Sequence, residues 1–508
     1  MGAYLLAHDL GTSGNKAVLY DLEGNLKGSA VCGYDTLYPR PSFVEQRAGD
    51  WWRAVCDSTK QLLAQTGIGG GEIAAVSFSG QMMGCLPVGK DGEPLRDMII
   101  WADTRSGAQE GHMIEAVGME EGYRRTGHRL SASYTAAKTM WVRDNEPEIY
   151  EKTHKVLHAK DYIVYRLTGE YATDYSDASA TNCMDIEKKQ WADDLIAAYG
   201  LRRELLPELH ASTDVVGKVT AEAARACGLM EGTPVVLGGG DGCCACVGAG
   251  VVDEGSAYAV LGSSSWIMFA SRAPQLDPGM RTFNFVHLDP ALYTPTGTMQ
   301  AAGMSYQWYR EAMCEAEATR AGAAGSTVFD ILDAEIEKSP PGAKGLLYLP
   351  YLLGERSPRW NHKARGAFIG MDMTTEKKDF SRAVLEGVGY NLKVILDVFE
   401  GRKPFESLIT IGGGAKGKVW LQILSDIWQK TLDIPEYLEE ATSMGAAVCA
   451  GVGVGAYKDF SVMKGLNKTV YQVKPNPANA ETYGTMYRAF NAAYDGLCET
   501  YELLSKAN

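Results

Sequence analysis

Apolar runs that each end in a glycine-rich turn recur along this chain, and they recur in the same order twice. A strand-like run ending in Ala7-His-Asp-Leu10 enters Gly11-Thr-Ser-Gly14 and leaves through Ala17-Val-Leu-Tyr20. About half the chain further on, Ala257-Tyr-Ala-Val260 enters Leu261-Gly-Ser-Ser264 and leaves through Trp266-Ile-Met-Phe269. A second pair follows the same logic: Pro234-Val-Val-Leu237 runs into Gly238-Gly-Gly-Asp241, and Leu408-Ile-Thr-Ile411 into Gly412-Gly-Gly-Ala415. Each member of this second pair is a strand, three glycines and then a helix. Behind the last one, Trp420, Leu421, Leu424, Ile427 and Trp428 form a stripe of helical period.

The duplication predicts two similar α/β halves, each with its glycine turns at one end of a sheet, where ligands bind in open α/β folds. The boundary falls at Val251-Val-Asp-Glu-Gly255, giving halves of residues 1–250 and 251–508. Gly11 and Gly238 lie farther apart than Gly262 and Gly412, so the first half carries an insertion, expected at about residues 101–219. That stretch is dense in charge and tyrosine and suits a substrate rim. No Pro/Ser-rich linker separates the halves, which should therefore pack closely and move as a hinge.

Composition narrows the function. The 508 residues are 45% hydrophobic and 22% charged, as in an ordinary globular protein with more than one core. A net charge of −14 argues against nucleic acid and anionic membrane as partners, since both ask for a basic surface, and leaves a small metabolite. No apolar stretch reaches the ~20 residues of a membrane helix, and the N-terminus carries no basic leader. Eleven scattered cysteines fit reduced thiols in the cytoplasm better than a disulfide scaffold. Cys243, Cys244 and Cys246 lack a second ligand pair at zinc spacing and read as small buried helix residues. The histidines show neither metal spacing nor a nucleophile partner.

The turns carry the candidate chemistry. Gly11 and Gly14 let backbone N–H groups turn toward an anion, and Thr12, Ser13 and Lys16 add hydroxyl and ammonium donors. Asp9 beside phosphates is repulsive unless a divalent cation lies between, which points to Mg²⁺; a plain hairpin with a solvated Asp is the alternative. Asp241 opens a helix, where the terminal N–H groups favour the anion and suit a general base for phosphoryl transfer; a simple N-cap is the alternative. Asp9 and Asp241 are the candidate metal carboxylates. Gly412-Gly-Gly-Ala415, followed by Lys416 and Lys418, allows a flat adenosine to approach the backbone, unless packing alone requires the turn. Gln81, Met82 and Met83 leave the strand Ala74–Phe78 toward the expected cleft, although methionines are more often core filler. Trp101, Asp103 and Arg105 combine a stacking surface with a charged pair, suited to a sugar or to a structural ion pair.

These segments resemble the FGGY family of carbohydrate kinases over nearly the whole length, and within it the xylulokinase branch. Asp9-Leu-Gly-Thr-Ser-Gly14 is similar to the family's first phosphate motif, Leu261-Gly262-Ser263-Ser264 to its second, and Gly412-Gly-Gly-Ala415 to its adenosine motif. Tyr134-Thr-Ala-Ala-Lys138-Thr-Met-Trp141 is similar to one family signature, and Gly366–Met371 with Asp379-Phe and Ala383–Glu386 to the other. The resemblance implies two ribonuclease-H-like domains of the actin/hexokinase type around a cleft, with MgATP on the C-terminal half and the sugar mainly on the N-terminal half. It implies Asp241 as catalytic base and Asp9 as the acid at metal and phosphate. Gly262, Ser263, Gly413, Gly414, Ala415 and Lys418 join Thr12, Ser13 and Lys16 at the nucleotide, and Gln81, Met82, Met83, Trp101, Asp103 and Gly242 are expected at the sugar. Met83 stands where this branch usually has His, and Gly242 where Asn is common, so the sugar preference is open to change without loss of phosphoryl transfer. Glycerol kinases carry Arg-Glu at the Met82-Met83 positions, which disfavours glycerol.

The expectation is ATP-dependent phosphorylation of the terminal hydroxyl of a ketopentose, D-xylulose first. Alternatives are another ketose, polyol or deoxysugar such as L-xylulose, ribulose or erythritol, and, from a different class, an actin- or Hsp70-like ATPase switch. The expected partners are a small sugar, ATP and Mg²⁺ in the cytoplasm, with a homodimer left open.

Overall fold

The computed structural model describes residues 2–401 and 404–506. Its first sheet is built from β1 (Tyr4–Leu10), β2 (Gly14–Asp21), β3 (Leu26–Gly33), β4 (Ile73–Gly80), β5 (Val215–Lys218), β6 (Pro234–Val236) and β7 (Gly239–Gly240). The order is β5-β6-β4-β1-β2-β3, with β7 continuing beside β4. The second sheet contains β8 (Ala257–Leu261), β9 (Ser265–Phe269), β10 (Phe283–Val286), β11 (Tyr293–Met299), β12 (Ser407–Ile411), β13 (Thr431–Pro435) and β14 (Thr469–Val473), in the order β10-β11-β9-β8-β12-β13-β14.

Both sheets follow one plan. A tight hairpin pairs the first two strands antiparallel, a third strand adds antiparallel beside the second, and a later strand runs parallel to the first on its other flank. This is the ribonuclease-H-like arrangement that the family resemblance implies, made twice. β4 is buried at every position, so it reads as an uninterrupted apolar and small run rather than as an alternation.

Helix α1 (Ala48–Thr66) covers the outer face of the first sheet through Trp51, Val55 and Leu62, and stops at Gly67, which takes a left-handed φ of 70°. The inserted segment contributes α2 (Thr135–Asn145). It does more than form a rim. Gly127 O accepts from Asn284 N at 3.1 Å and Ser179 Oγ from Val286 N at 3.1 Å, so the insertion also bridges to the second lobe.

The centre of the molecule is a pair of helices between the sheets, α3 (Asp241–Gly248) and α5 (Ala441–Gly453). A Cβ on Gly248 would lie 1.7 Å from Ala441 O, and one on Gly445 would lie 1.9 Å from Cys244 O, so the two helices touch backbone to backbone. Cys243, Cys244 and Cys246 of α3 are buried free thiols in the surrounding core. Although α5 comes from the second half, it packs on the first sheet: a Cβ on Gly453 would lie 2.9 Å from Val236 Cγ2 of β6. Helix α4 (Lys418–Trp428) buries its predicted stripe in the core of the second lobe. Among the described residues no helix is long and apolar enough to cross a membrane.

Candidate active site

Sheet register brings the two acids together. Asp9 and Gly239 both pair with Ser79 of the intervening β4, so Asp9 and Asp241 emerge at the same end of the first sheet. Asp9 Oδ1 accepts from Ser79 Oγ at 2.9 Å. Burial raises the Asp9 carboxyl above its ordinary pKa, against the opposing pulls of Ser79 and Lys16. Asp241 starts α3 and accepts from Gly242 N at 2.7 Å. Its position at a helix terminus predicts a carboxylate that stays ionised. Instead, burial first and the charge of Asp9 second push it up to about 7, with the Gly242 N–H acting in the other direction. A two-turn helix enclosed between two sheets offers too little compensating field for the lost water.

Two buried carboxyls, one of them raised by the charge of the other, fit a hard divalent cation completed by phosphate and water oxygens. Lys16 cannot fully relieve them, because its Nζ is paired with Glu440 Oε1 at 3.0 Å across the lobes. A separate cluster of metal-type side chains, His158, Asp161 and Asp177, lies buried under the same turn. There the cation is already present. Lys160 Nζ lies 2.6 Å from Asp161, 3.0 Å from Asp174 and 3.4 Å from Asp177. Burial alone would lower that ammonium's pKa, yet the three acids hold it well above its usual value.

The cluster also supports the catalytic turn. Asp174 accepts from Ser176 Oγ at 2.5 Å and from Ser212 Oγ at 2.7 Å, and Ser176 Oγ in turn accepts the Gly240 N–H at 3.0 Å. Ser176→Ala is expected to lower kcat about 10- to 100-fold through displacement of Asp241, with both KM values nearly unchanged. Steady-state kinetics with an unaltered kcat would remove this link.

Asp241 opens into a cavity of about 230 Å³ between the lobes. The first lobe contributes Thr12, Met82, Met83, Trp101 and Gly242; the second contributes Ser264, Ser265, Trp266, Met268, Phe283, Thr298 and Arg356, among others. Trp101 is held by its indole N–H, which donates to Thr12 Oγ1 at 3.0 Å. Ser265 Oγ and Thr298 Oγ1 are buried without a partner, which leaves two hydroxyls free for a polar ligand. A Cβ on Gly242 would lie 2.7 Å from Met268 Cε, so a methionine fills the space a larger residue there would need. Aromatic and methionine faces with a few convergent polar groups suit a small polyhydroxylated ligand.

A second cavity, of about 690 Å³, lies within the C-terminal lobe. Gly262, Ser263, Gly413 and Gly414 line it together with Tyr306, Phe329, Asp333, Lys416 and Trp420. Gly412 has a φ of 92°, and a Cβ there would lie 2.7 Å from Leu261 O, so glycine is required for the turn to reach the hairpin. Trp420 Nε1 is buried without a partner. The Leu261–Ser265 hairpin separates the two cavities, with Gly262 and Ser263 facing one and Ser264 and Ser265 the other.

Several expected residues are placed differently. Thr12 faces the Asp241 cavity rather than the glycine-lined one, Ser13 is exposed at the hairpin tip, and Lys16 is held by Glu440. Ala415 turns its methyl into the core, and Lys418 is exposed on the outer side of α4. The single 3-10 turn Gly413–Lys416 aims Lys416 at the cavity instead. Gln81 is buried, with Nε2 donating to Gln46 Oε1 at 2.7 Å. Asp103 is also buried; it accepts from Arg105 Nη2 at 2.7 Å and from Val44 N at 2.5 Å, so it is the structural member of its pair. Most of the Asp241 cavity's wall belongs to the second lobe. Phe283, Phe285 and Thr298 escaped sequence reasoning because β10 and β11 carry no turn motif, only buried strand patterns.

Two cavities that meet at a phosphate-type hairpin, one glycine-lined and one holding an acid, define a two-lobed nucleotide-dependent phosphotransferase. The chain belongs to the FGGY family of carbohydrate kinases: residues 4–248 match the family's N-terminal domain and residues 257–454 its C-terminal domain. It is an ATP-dependent sugar kinase. It is similar to the xylulose kinase of Bacillus subtilis (strain 168), with 31% identity over 493 residues covering 97% of this chain and 96% of the relative. It is also similar to the gluconokinase of that organism, with 30% identity over 494 residues covering 96% and 95%. The structure of ligand-bound xylulose kinase from Lactobacillus acidophilus matches with a TM-score of 0.91 at 26% identity, over 99% of each chain.

Proposed function

We propose that the protein transfers the γ-phosphoryl group of ATP to the terminal hydroxyl of a ketopentose, D-xylulose first, giving D-xylulose 5-phosphate. The observation that carries this reading is the one hairpin, Leu261–Ser265, dividing the cavity of Asp241 from the glycine-lined cavity. Asp241 takes the proton from the hydroxyl as its oxygen attacks the γ-phosphorus in line. In the metal-free cleft, burial and the charge of Asp9 hold this carboxyl near 7, which makes it a stronger proton acceptor than an exposed Asp. Backbone N–H groups of the two hairpin turns face the phosphates, and Trp101 stacks on the carbon face of the sugar. Asp9 and Asp241 would hold Mg²⁺, which when bound supplies positive charge to the phosphate oxygens. Enclosure between the lobes keeps water from competing as acceptor.

A second reading, a sugar acid such as gluconate, draws on Arg356. It lines the same cavity, with its guanidinium 5.9 Å from the centre of the Phe283 ring and 6.0 Å from that of Trp360. ADP release measured with D-xylulose, L-xylulose, D-ribulose, erythritol and gluconate separates the two. The expected result is a kcat/KM for D-xylulose about tenfold or more above the others. A preference for gluconate that Arg356→Met abolishes would replace the ketose with the acid. Steady ATP hydrolysis with no dependence on any sugar would instead favour the ATPase switch.

A further inference from the structure

Lys138 belongs to the Tyr134–Trp141 segment, and neither phosphoryl transfer nor ligand contact makes use of it. It lies on α2, fully buried, and its three ammonium hydrogens meet three backbone carbonyls: Met83 O at 2.8 Å, Ile100 O at 2.7 Å and Ser133 O at 2.6 Å. That satisfies every donor the side chain has. Asp103, the nearby acid, is engaged with Arg105 and Val44 N and makes no ion pair with Lys138. Burying a cation without a direct counter-ion is costly, and packing alone would be served by methionine.

The carbonyls it holds belong to the cavity. Met83 O lies in the loop that presents Met82 and Met83, and Ile100 immediately precedes Trp101; all three of those side chains line the Asp241 cavity. Met83 has a φ of 66°, a left-handed conformation that a non-glycine residue keeps only where its surroundings impose it. The Lys138 ammonium donates to the carbonyl of that same residue. Burial pulls Lys138 down to about 7, with Asp103 and then Cys85 opposing that shift and Arg356 and Arg105 adding to it.

We propose that Lys138 is a positioning residue for the sugar, a cross-link that fixes the Met82-Met83 wall and the Trp101 wall at the separation the acceptor requires. The proposal rests on the reading of this cavity as the sugar site. Lys138→Met should raise the KM for the best sugar about tenfold or more, while kcat and the KM for ATP stay within about twofold. Trp101→Ala, run beside it, tests the cavity itself. A raised sugar KM in both variants supports the proposal. A raised KM in Trp101→Ala with an unchanged KM in folded Lys138→Met overturns the role of Lys138 alone. No change in either variant overturns the cavity assignment and the proposal with it, and a loss of kcat with both KM values raised makes Lys138 a general structural residue. Should Lys138→Met fail to fold, Lys138→Arg reads the same split, because a planar guanidinium keeps the charge but cannot direct three donors at converging carbonyls. A selective rise in sugar KM supports the cross-link, and an unchanged value overturns it.

Discussion

Asp241→Asn is expected to lower kcat about 10²- to 10⁴-fold while the sugar still binds, because the amide fills the same volume but cannot accept the proton of the attacking hydroxyl. Trp101 and Trp266 line the cavity, so quenching of intrinsic fluorescence by sugar reports binding in the inactive variant. Near-normal turnover would remove Asp241 as base. A second consequence has the opposite sign. The folded carboxyl titrates near 7 and an unfolded one near 3.9, so between these values the native state keeps a proton that the unfolded chain has released. The stabilisation from that protonated form is complete at low pH and is lost as pH rises through about 7. In metal-free enzyme the asparagine variant should therefore melt higher than the parent at pH 8, and the gain should shrink toward pH 5. An equal melting temperature at pH 8 would mean that the carboxylate is not confined by the cleft.

Gly445→Val is expected to have the largest structural effect. A Cβ at this position would lie 1.9 Å from Cys244 O and 3.0 Å from Gly248 N, and neither neighbour can swing aside because both are backbone of α3. The helices must separate, and α3 carries Asp241 at its first position. Overpacking of this kind costs about 3 kcal/mol or more, which corresponds to a fall of about 5–10 °C in melting temperature together with loss of activity. Gly465→Ala is the control, since nothing lies within 4 Å of a Cβ there. Thermal unfolding of the two variants checks the prediction. If Gly445→Val melted like Gly465→Ala, the close crossing of α3 and α5 would not hold the lobes together.

Much of the site was legible because chemistry confined to turns leaves a local mark. Gly11, Gly238, Gly262 and Gly412 are each read from a strand followed by small residues, and Asp9 and Asp241 follow from the turns that present them. Side-chain direction within those segments was not legible. Lys416 and Lys418 are both plausible neighbours of a phosphate in sequence, and one 3-10 turn decides between them. Gln81 and Asp103 have the polar character of ligand contacts, yet the hydrogen bonds that bury them come from Gln46, Val44 and Arg105.

Read alone, the chain specifies two like lobes, their glycine turns and the acids beside them, because backbone conformations that need glycine and strands that need apolar runs are written over a few adjacent residues. Long-range packing decides the rest. Thr298, Ser265 and Arg356 become cavity walls, Thr12 faces the Asp241 cavity, and Lys138 meets its carbonyls only when two sheets and an insertion close on one another. The partners in those contacts are far apart in sequence, and no short-range pattern encodes which face of one lobe will meet which face of the other.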